Sequence, residues 1–280
     1  MRPEPLDLLH LGHERVIGCY LLDTEDGPAL FDCGPASCFE TLATRLAEHG
    51  LAVSDLGHLL LSHIHLDHAG ATGVLVREHP GLQVHVSKVG APHLVDPSKL
   101  ISSAARLYGD ALEPLWGEIV PVPEENVHVV GSRVVGLECF PTPGHASHHV
   151  CYVGPDGTLY AGDAAGVRIT PHPSVLPPTP PPDLDIEAWH ETLAEIRRRR
   201  PERIALIHFG PFDDVDRHLD ELERRLDGWT DRVEGGMSER EFVETALGDV
   251  EPGSGDEYAT AMPFDQSYAG LRRYVDTRAA

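Results

Sequence analysis

The chain of 280 residues is long enough for one large α/β domain, or one such domain with an appendage. Its 45 acidic side chains outnumber 22 basic ones, giving a formal net charge of -23. A surface that acidic repels phosphate backbones, so no nucleic-acid partner is expected, a local basic patch aside.

Apolar runs such as Leu59–Leu61 are far too short to cross a bilayer, so no membrane partner is expected. Met1-Arg2-Pro3-Glu4 leads straight into a strand-like segment without the apolar stretch of a signal peptide. Five cysteines, Cys19, Cys33, Cys38, Cys139 and Cys151, show no CxxC spacing. That pattern predicts free thiols in a reducing, cytoplasmic setting.

In chain order, "VIGCYLLD" (16–23) and "PALFDCG" (28–34) read as a hairpin around Glu25-Asp26-Gly27. "CFETLATRLAEHG" reads as a helix stopping at Gly50. "HLLLSH" (58–63) is a buried strand that opens into a histidine cluster, followed by a helix over "AGATGVLVREHP" and an alternating strand, "LQVHVS". Residues 96–125 are helix and loop, with Leu100, Ala104 and Leu107 near helical spacing. "RVVGLECF", "HHVCYVG" and "TLYAGD" read as three strands.

A proline-rich stretch, 171–183, is either a linker or a rigid crossing over the surface. The helix "DLDIEAWHETLAEIRRRR" sets Ile186, Trp189, Leu193 and Ile196 on one face, and its terminal arginines complement the helix dipole. "RIALIHFG" (203–210) is another buried strand. A helix with the stripe Val215, Leu219, Leu222 and Leu226 follows, then one opened by a Ser238/Glu241 capping box, then a single tail helix over 258–275.

The chemistry concentrates in "LLLSHIHLDHAG", where His63, His65, Asp67 and His68 fall within six positions. His63 and His65 alternate and so point the same way from an extended loop. A bend would turn Asp67 and His68 toward a second point nearby, an arrangement suited to two ions held side by side. A histidine-rich polar surface loop is the alternative. Against it, three further strand ends carry ligand types: His145 in "FPTPGHAS", Asp163 in "LYAGDAAG" and His208 in "ALIHFG".

These residues resemble the metallo-β-lactamase-fold hydrolases, including glyoxalase II, whose HxHxDH signature stands here as His63 to His68 with His145, Asp163 and His208 in order. The resemblance covers roughly residues 8–212. It implies a four-layer αββα sandwich of two mixed sheets with the site at a sheet edge, forming a catalytic domain over 1–212. Residues 213–280 would be a C-terminal helical extension packed on it. By position, the resemblance assigns His63, His65 and His145 to a first ion, Asp67, His68 and His208 to a second, and Asp163 to both. Asp32 in "ALFDCG" matches an aspartate that orients the metal loop.

The implied cofactors are two divalent cations, zinc first, with iron or manganese suiting the same donors. The implied chemistry is hydrolysis of a small thioester, ester or lactone by a metal-bridging hydroxide, with Asp67 orienting it as the catalytic residue. No G-x-S-x-G nucleophile elbow is present. His148, His149 and Arg168 are candidates to touch the small-molecule substrate. Tyr108 and Trp116 are core residues or a cover for the pocket, and Arg272 and Arg273 are helix-surface residues or anion contacts. Two other activities share the motif: a mononuclear iron oxidoreductase resembling the persulfide dioxygenases, and a small phosphodiesterase. The terminal helices would cover the core or pair subunits in a homodimer.

Overall fold

The computed structural model describes residues 2–278. One sheet holds strands β1 (Leu6–Asp7), β2 (Gly18–Thr24), β3 (Gly27–Phe31), β4 (His58–Leu60), β5 (Gln83–Val86) and β6 (Val127–Val129), in that order. The second holds β7 (Arg133–Val134), β8 (Leu137–Pro141), β9 (Val150–Val153), β10 (Thr158–Tyr160), β11 (Arg203–Leu206) and β12 (Gly210–Phe212), running in space from β12 to β7. Both sheets are mixed. The first is antiparallel at β1–β2–β3 and parallel beyond, and the second is antiparallel except at β10–β11.

The sheets meet through aromatic side chains. Phe31 of β3 packs edge-on against Tyr152 of β9 at 5.9 Å, and Tyr20 of β2 against Tyr160 of β10 at 5.6 Å. Their buried hydroxyls are satisfied across the sandwich, Tyr20 donating to the Leu206 carbonyl and Tyr152 to that of Leu61. On the outer face of the first sheet, helix Phe39–Glu48 buries Leu42 and Leu46. On the second, helices Ile186–Arg199 and Val215–Glu234 bury the stripes read from the sequence, joined by Trp229 and Val233. This is the four-layer αββα arrangement, with more helices at its C-terminal end.

Several elements differ in detail from the sequence reading. "RVVGLECF" is a hairpin of β7 and β8 and not one strand, because Val135 and Gly136 both take positive φ, 39° and 89°, and make a two-residue turn. "RIALIHFG" likewise ends as a strand at Leu206, and the chain reverses into β12. The tail is two helices, Gly255–Ala261 and Phe264–Arg278, broken at Met262-Pro263 because proline has no N–H to continue the ladder. The proline-rich stretch is a crossing with a buried course through Val175, Leu176 and Thr179. Of the four terminal arginines, Arg197, Arg198 and Arg199 are paired with carboxylates. The Ser238/Glu241 capping box forms as read. All five cysteines are free and buried. Among the described residues, no helix is long and apolar enough to cross a membrane.

Candidate metal centre

The carboxyl ends of β3, β4, β8, β10 and β11 gather at one edge of the sandwich, and each delivers one or more of the residues in question. After β4 the chain stays extended through Leu61-Ser62-His63, then starts a short helix, Leu66–Ala69, with His65 as its N-cap. Asp67 and His68 therefore sit in a helical turn and not in a simple bend. Asp163 lies in a tight turn after β10. The preceding Gly162 has φ +47° and no room for a Cβ, which would fall 2.6 Å from Ser62 and 2.7 Å from His149.

Three groups of donors converge: His63, His65 and His145; His63, His68 and Asp163; and Asp67, His68 and His208. In the first, His63 Nε2 is 2.9 Å and His145 Nε2 3.0 Å from His65 Nδ1. In the last, His208 Nε2 is 3.3 Å from Asp67 Oδ2. Asp163 lies between them. Its Oδ2 is 3.4 Å from His145 Nε2, while its Oδ1 is 3.2 Å from His68 Nε2 and 3.8 Å from His208 Nε2. One carboxylate thus faces both groups with different oxygens.

The opposite ring nitrogens are tied down. His68 Nδ1 donates to Asp32 Oδ2 at 2.7 Å, His145 Nδ1 to the Pro178 carbonyl at 2.8 Å, and His208 Nδ1 to the Val16 carbonyl at 2.5 Å. His63 Nδ1 lies 3.0 Å from Ser62 Oγ, which itself donates to Asp32. With the proton held on Nδ1, each Nε2 presents a bare lone pair inward. Asp32, fully buried at φ +53°, accepts the Ser62 N–H with Oδ1 and so gathers the whole loop.

The electrostatics point the same way. Burial, reinforced by neighbouring imidazoles, holds His63 and His65 well below the usual histidine range. Burial alone would raise Asp163, but the His68 and His145 imidazoles hold it well below the usual carboxylate range. His68 is pulled up, against its burial, by Asp163, Asp67 and Asp32. The carboxylates demand positive charge, which raises His68 and His208, while His63, His65 and His145 resist protonation. His68 Nε2 and Asp163 Oδ1 are also buried without a hydrogen-bond partner. Nitrogen and carboxylate donors converging on such orphaned atoms fit divalent metal ions.

A cavity of about 660 Å³ opens over this floor, lined by His65, Asp67, His145, Asp163 and His208. His148 lines it too, its Nδ1 accepting the Ile64 N–H at 3.4 Å, and burial pushes this imidazole down to about 4. His149, expected as a substrate contact, does not line it. It accepts the Asp163 N–H at 3.2 Å and donates to Thr142 Oγ1 at 2.7 Å. Arg168 is also away from the cavity, because Asp214 pairs with it at 2.7 Å and its guanidinium lies over Phe212. His172 pairs with Glu251 and Glu257, and Arg272 with Asp276.

Tyr108 and Trp116, by contrast, are cavity wall, and Arg273 stands at its rim. The sequence reading passed over His10, which stacks on Trp116 at 5.4 Å, and Ser62. Ser62 was within reach as a small hydroxyl between a strand end and the motif. Nothing in "LLHLGHE" marks His10.

The family profile of the metallo-beta-lactamase superfamily matches residues 14–210. Among curated relatives, the metallo-beta-lactamase fold-containing protein ST1585 of Sulfurisphaera tokodaii is 28% identical over 164 residues, 55% of this chain and 61% of that protein. The chain thus matches less than two thirds of that relative's length. In structure the two superpose with a TM-score of 0.67 at 21% identity, covering 96% and 97% of the chains, which is a likeness of fold. The hydroxyacylglutathione hydrolase of Vibrio campbellii is 38% identical over 105 residues, 38% of this chain and 31% of that enzyme. The protein TTHA1623, solved in a di-iron-bound form, matches with a TM-score of 0.56 at 26% identity over 73% of this chain and 91% of its own.

Proposed function

The chain belongs to the metallo-beta-lactamase superfamily, and from that premise we propose that it is a dinuclear metal-dependent hydrolase of small thioesters, esters or lactones. The observation that carries the reading is Asp163, whose two oxygens face separate groups of imidazoles. When bound, two divalent cations supply Lewis acidity toward a carbonyl oxygen and bring the pKa of water toward neutrality. His63, His65 and His145 would hold one, Asp67, His68 and His208 the other, and Asp163 both. Zinc is the ion we assign first, with iron the alternative in view of the di-iron form of TTHA1623.

The chain's own groups divide the remaining work. Asp67 keeps 20% of its side chain exposed against 5% for Asp163, and it lines the cavity. It is the carboxylate placed to orient the attacking water and take its proton. His148, held near neutral charge at pH 7 by burial, offers a ring edge to the substrate. Water adds to the acyl carbon, the C–S or C–O bond breaks, and the leaving group departs with a proton. The Vibrio relative, by its name a thioester hydrolase, supports the thioester among the three classes.

The test is metal analysis of protein purified without added metal, followed by a panel of thioesters, lactones and phosphodiesters. Two ions per chain and thioester or lactone turnover are expected. One iron per chain with oxygen uptake would replace this reading with a mononuclear oxidoreductase, and turnover of phosphodiesters alone with a phosphodiesterase.

A further inference from the structure

We propose that the substrate is an anionic acyl compound with an aliphatic body, its anion seated on Lys99, Arg106 and Arg273 at the cavity rim. This rests on the hydrolase reading and specifies what the cavity accepts. Most of the chain's arginines are tied to a carboxylate, as expected where acids outnumber bases two to one. Among the described residues, Lys99, Arg106 and Arg273 have no carboxylate within ion-pair distance, and all three line this one cavity. Arg106 reaches only Ser102 Oγ and Arg273 only the Pro182 carbonyl.

Their placement is specific. Lys99 and Arg106 are seven residues apart on helix Ser98–Tyr108, which puts them on one face about 10 Å apart. Arg273 comes from helix Phe264–Arg278, which meets helix Ser98–Tyr108 where the Tyr108 hydroxyl donates to Gln266 Oε1. Asp183, a further carboxylate at the rim, already accepts from Ser147 Oγ. Three cations without an ion-pair partner on one cavity leave positive charge for an anionic ligand to meet.

Much of the remaining lining is apolar, with Ile17, Leu66, Leu100, Leu107, Trp116 and Met262 interspersed with polar groups such as Ser103, Thr260 and Gln266. Leu107 remains 39% exposed. A ligand made only of amides and hydroxyls would leave the apolar share of that lining uncovered. An aliphatic chain would cover it, and a volume of about 660 Å³ suits a molecule of that size.

The test uses the zinc-loaded full chain and two probes, 3-(octylthio)propanoate and its neutral amide, with dissociation constants from calorimetry at low and high salt. The acid is expected to bind about tenfold or more tighter than the amide at low salt. That difference should disappear in the Lys99→Ser/Arg106→Ser/Arg273→Ser variant, whose exposed sites leave the fold intact. Equal binding of acid and amide, or an acid preference that survives the triple substitution because the carboxylate sits on metal, would overturn the proposal. Turnover is read separately with the octanoyl thioester of 3-mercaptopropionate and with a hydroxyacylglutathione. Faster turnover of the glutathione compound would overturn the aliphatic part. Charge-dependent binding without any turnover would sink the hydrolase reading and leave the rim site standing.

Discussion

At the floor of the cavity, His68, His145 and His208 each have the outward ring nitrogen anchored by a buried carboxylate or backbone carbonyl. The outer wall is built differently. Helix Ser98–Tyr108 buries only Ala104, and its region is held to the body by such contacts as Ser37 Oγ to the Leu115 carbonyl. A floor that must present several lone pairs to a common point needs redundant anchoring. A wall that meets the substrate needs only shape and charge. On the reading proposed above, helix Ser98–Tyr108 is the part of the wall that can change with least effect on the anchored floor.

The sharpest way to break that contrast is at Asp163. Asp163→Ala should leave the fold but lose bound metal and all hydrolysis, read by metal analysis and by turnover of the best substrate. Full activity would mean that the shared carboxylate is misassigned. Asp32→Ala removes the acceptor for Ser62 and His68 in a fully buried place. Metal affinity should fall about 10- to 100-fold in a chelator competition, with a stability loss of about 3–5 kcal/mol.

Behind the floor, His218 donates to the Ala165 carbonyl in the turn that carries Asp163, and burial pushes its imidazole down to about 4. The unfolded chain takes up that proton below about pH 6.5, the folded one only near 4. This contribution, at most about 3 kcal/mol, is full above pH 6.5 and is lost as the pH falls toward 4. Urea midpoints at pH 7.5 and 5 should therefore differ less in His218→Gln than in the wild type; equal differences would place the acid sensitivity elsewhere. On the outer wall, Trp116→Ala should leave metal content unchanged and raise KM about fivefold, near 1 kcal/mol. Loss of metal in that variant would show the wall to be part of the floor after all.

The same division explains what could be read from sequence. The candidate ligands are legible because histidine and aspartate crowd into His63–His68 and recur alone at strand ends, where a core would not place them. The wall is not, since Leu100, Ala104 and Leu107 have one spacing whether a helix covers a core or a cavity. Arg168 looked available because its partner, Asp214, lies 46 residues on. His149 looked like substrate contact because adjacency to His148 hides that the two rings go opposite ways, one into the cavity and one under Asp163. Pro263 marks the break in the tail, but the single-helix reading over 258–275 leaves it out.

The crossing through Pro178 extends the site much further along the chain than its ligands suggest. The carbonyl that steadies His145 belongs to a segment clasped by the last helix: Thr179 Oγ1 donates to the Ser267 carbonyl, and Gly270 lies so close that a methyl group there would fall 2.0 Å from the Thr179 carbonyl. Removing only the last helix, Phe264–Arg278, would thus spare every residue proposed to hold metal and still loosen the segment that anchors His145. Gly270→Val, more than sixty residues beyond His208, should do the same by pushing that clasp open.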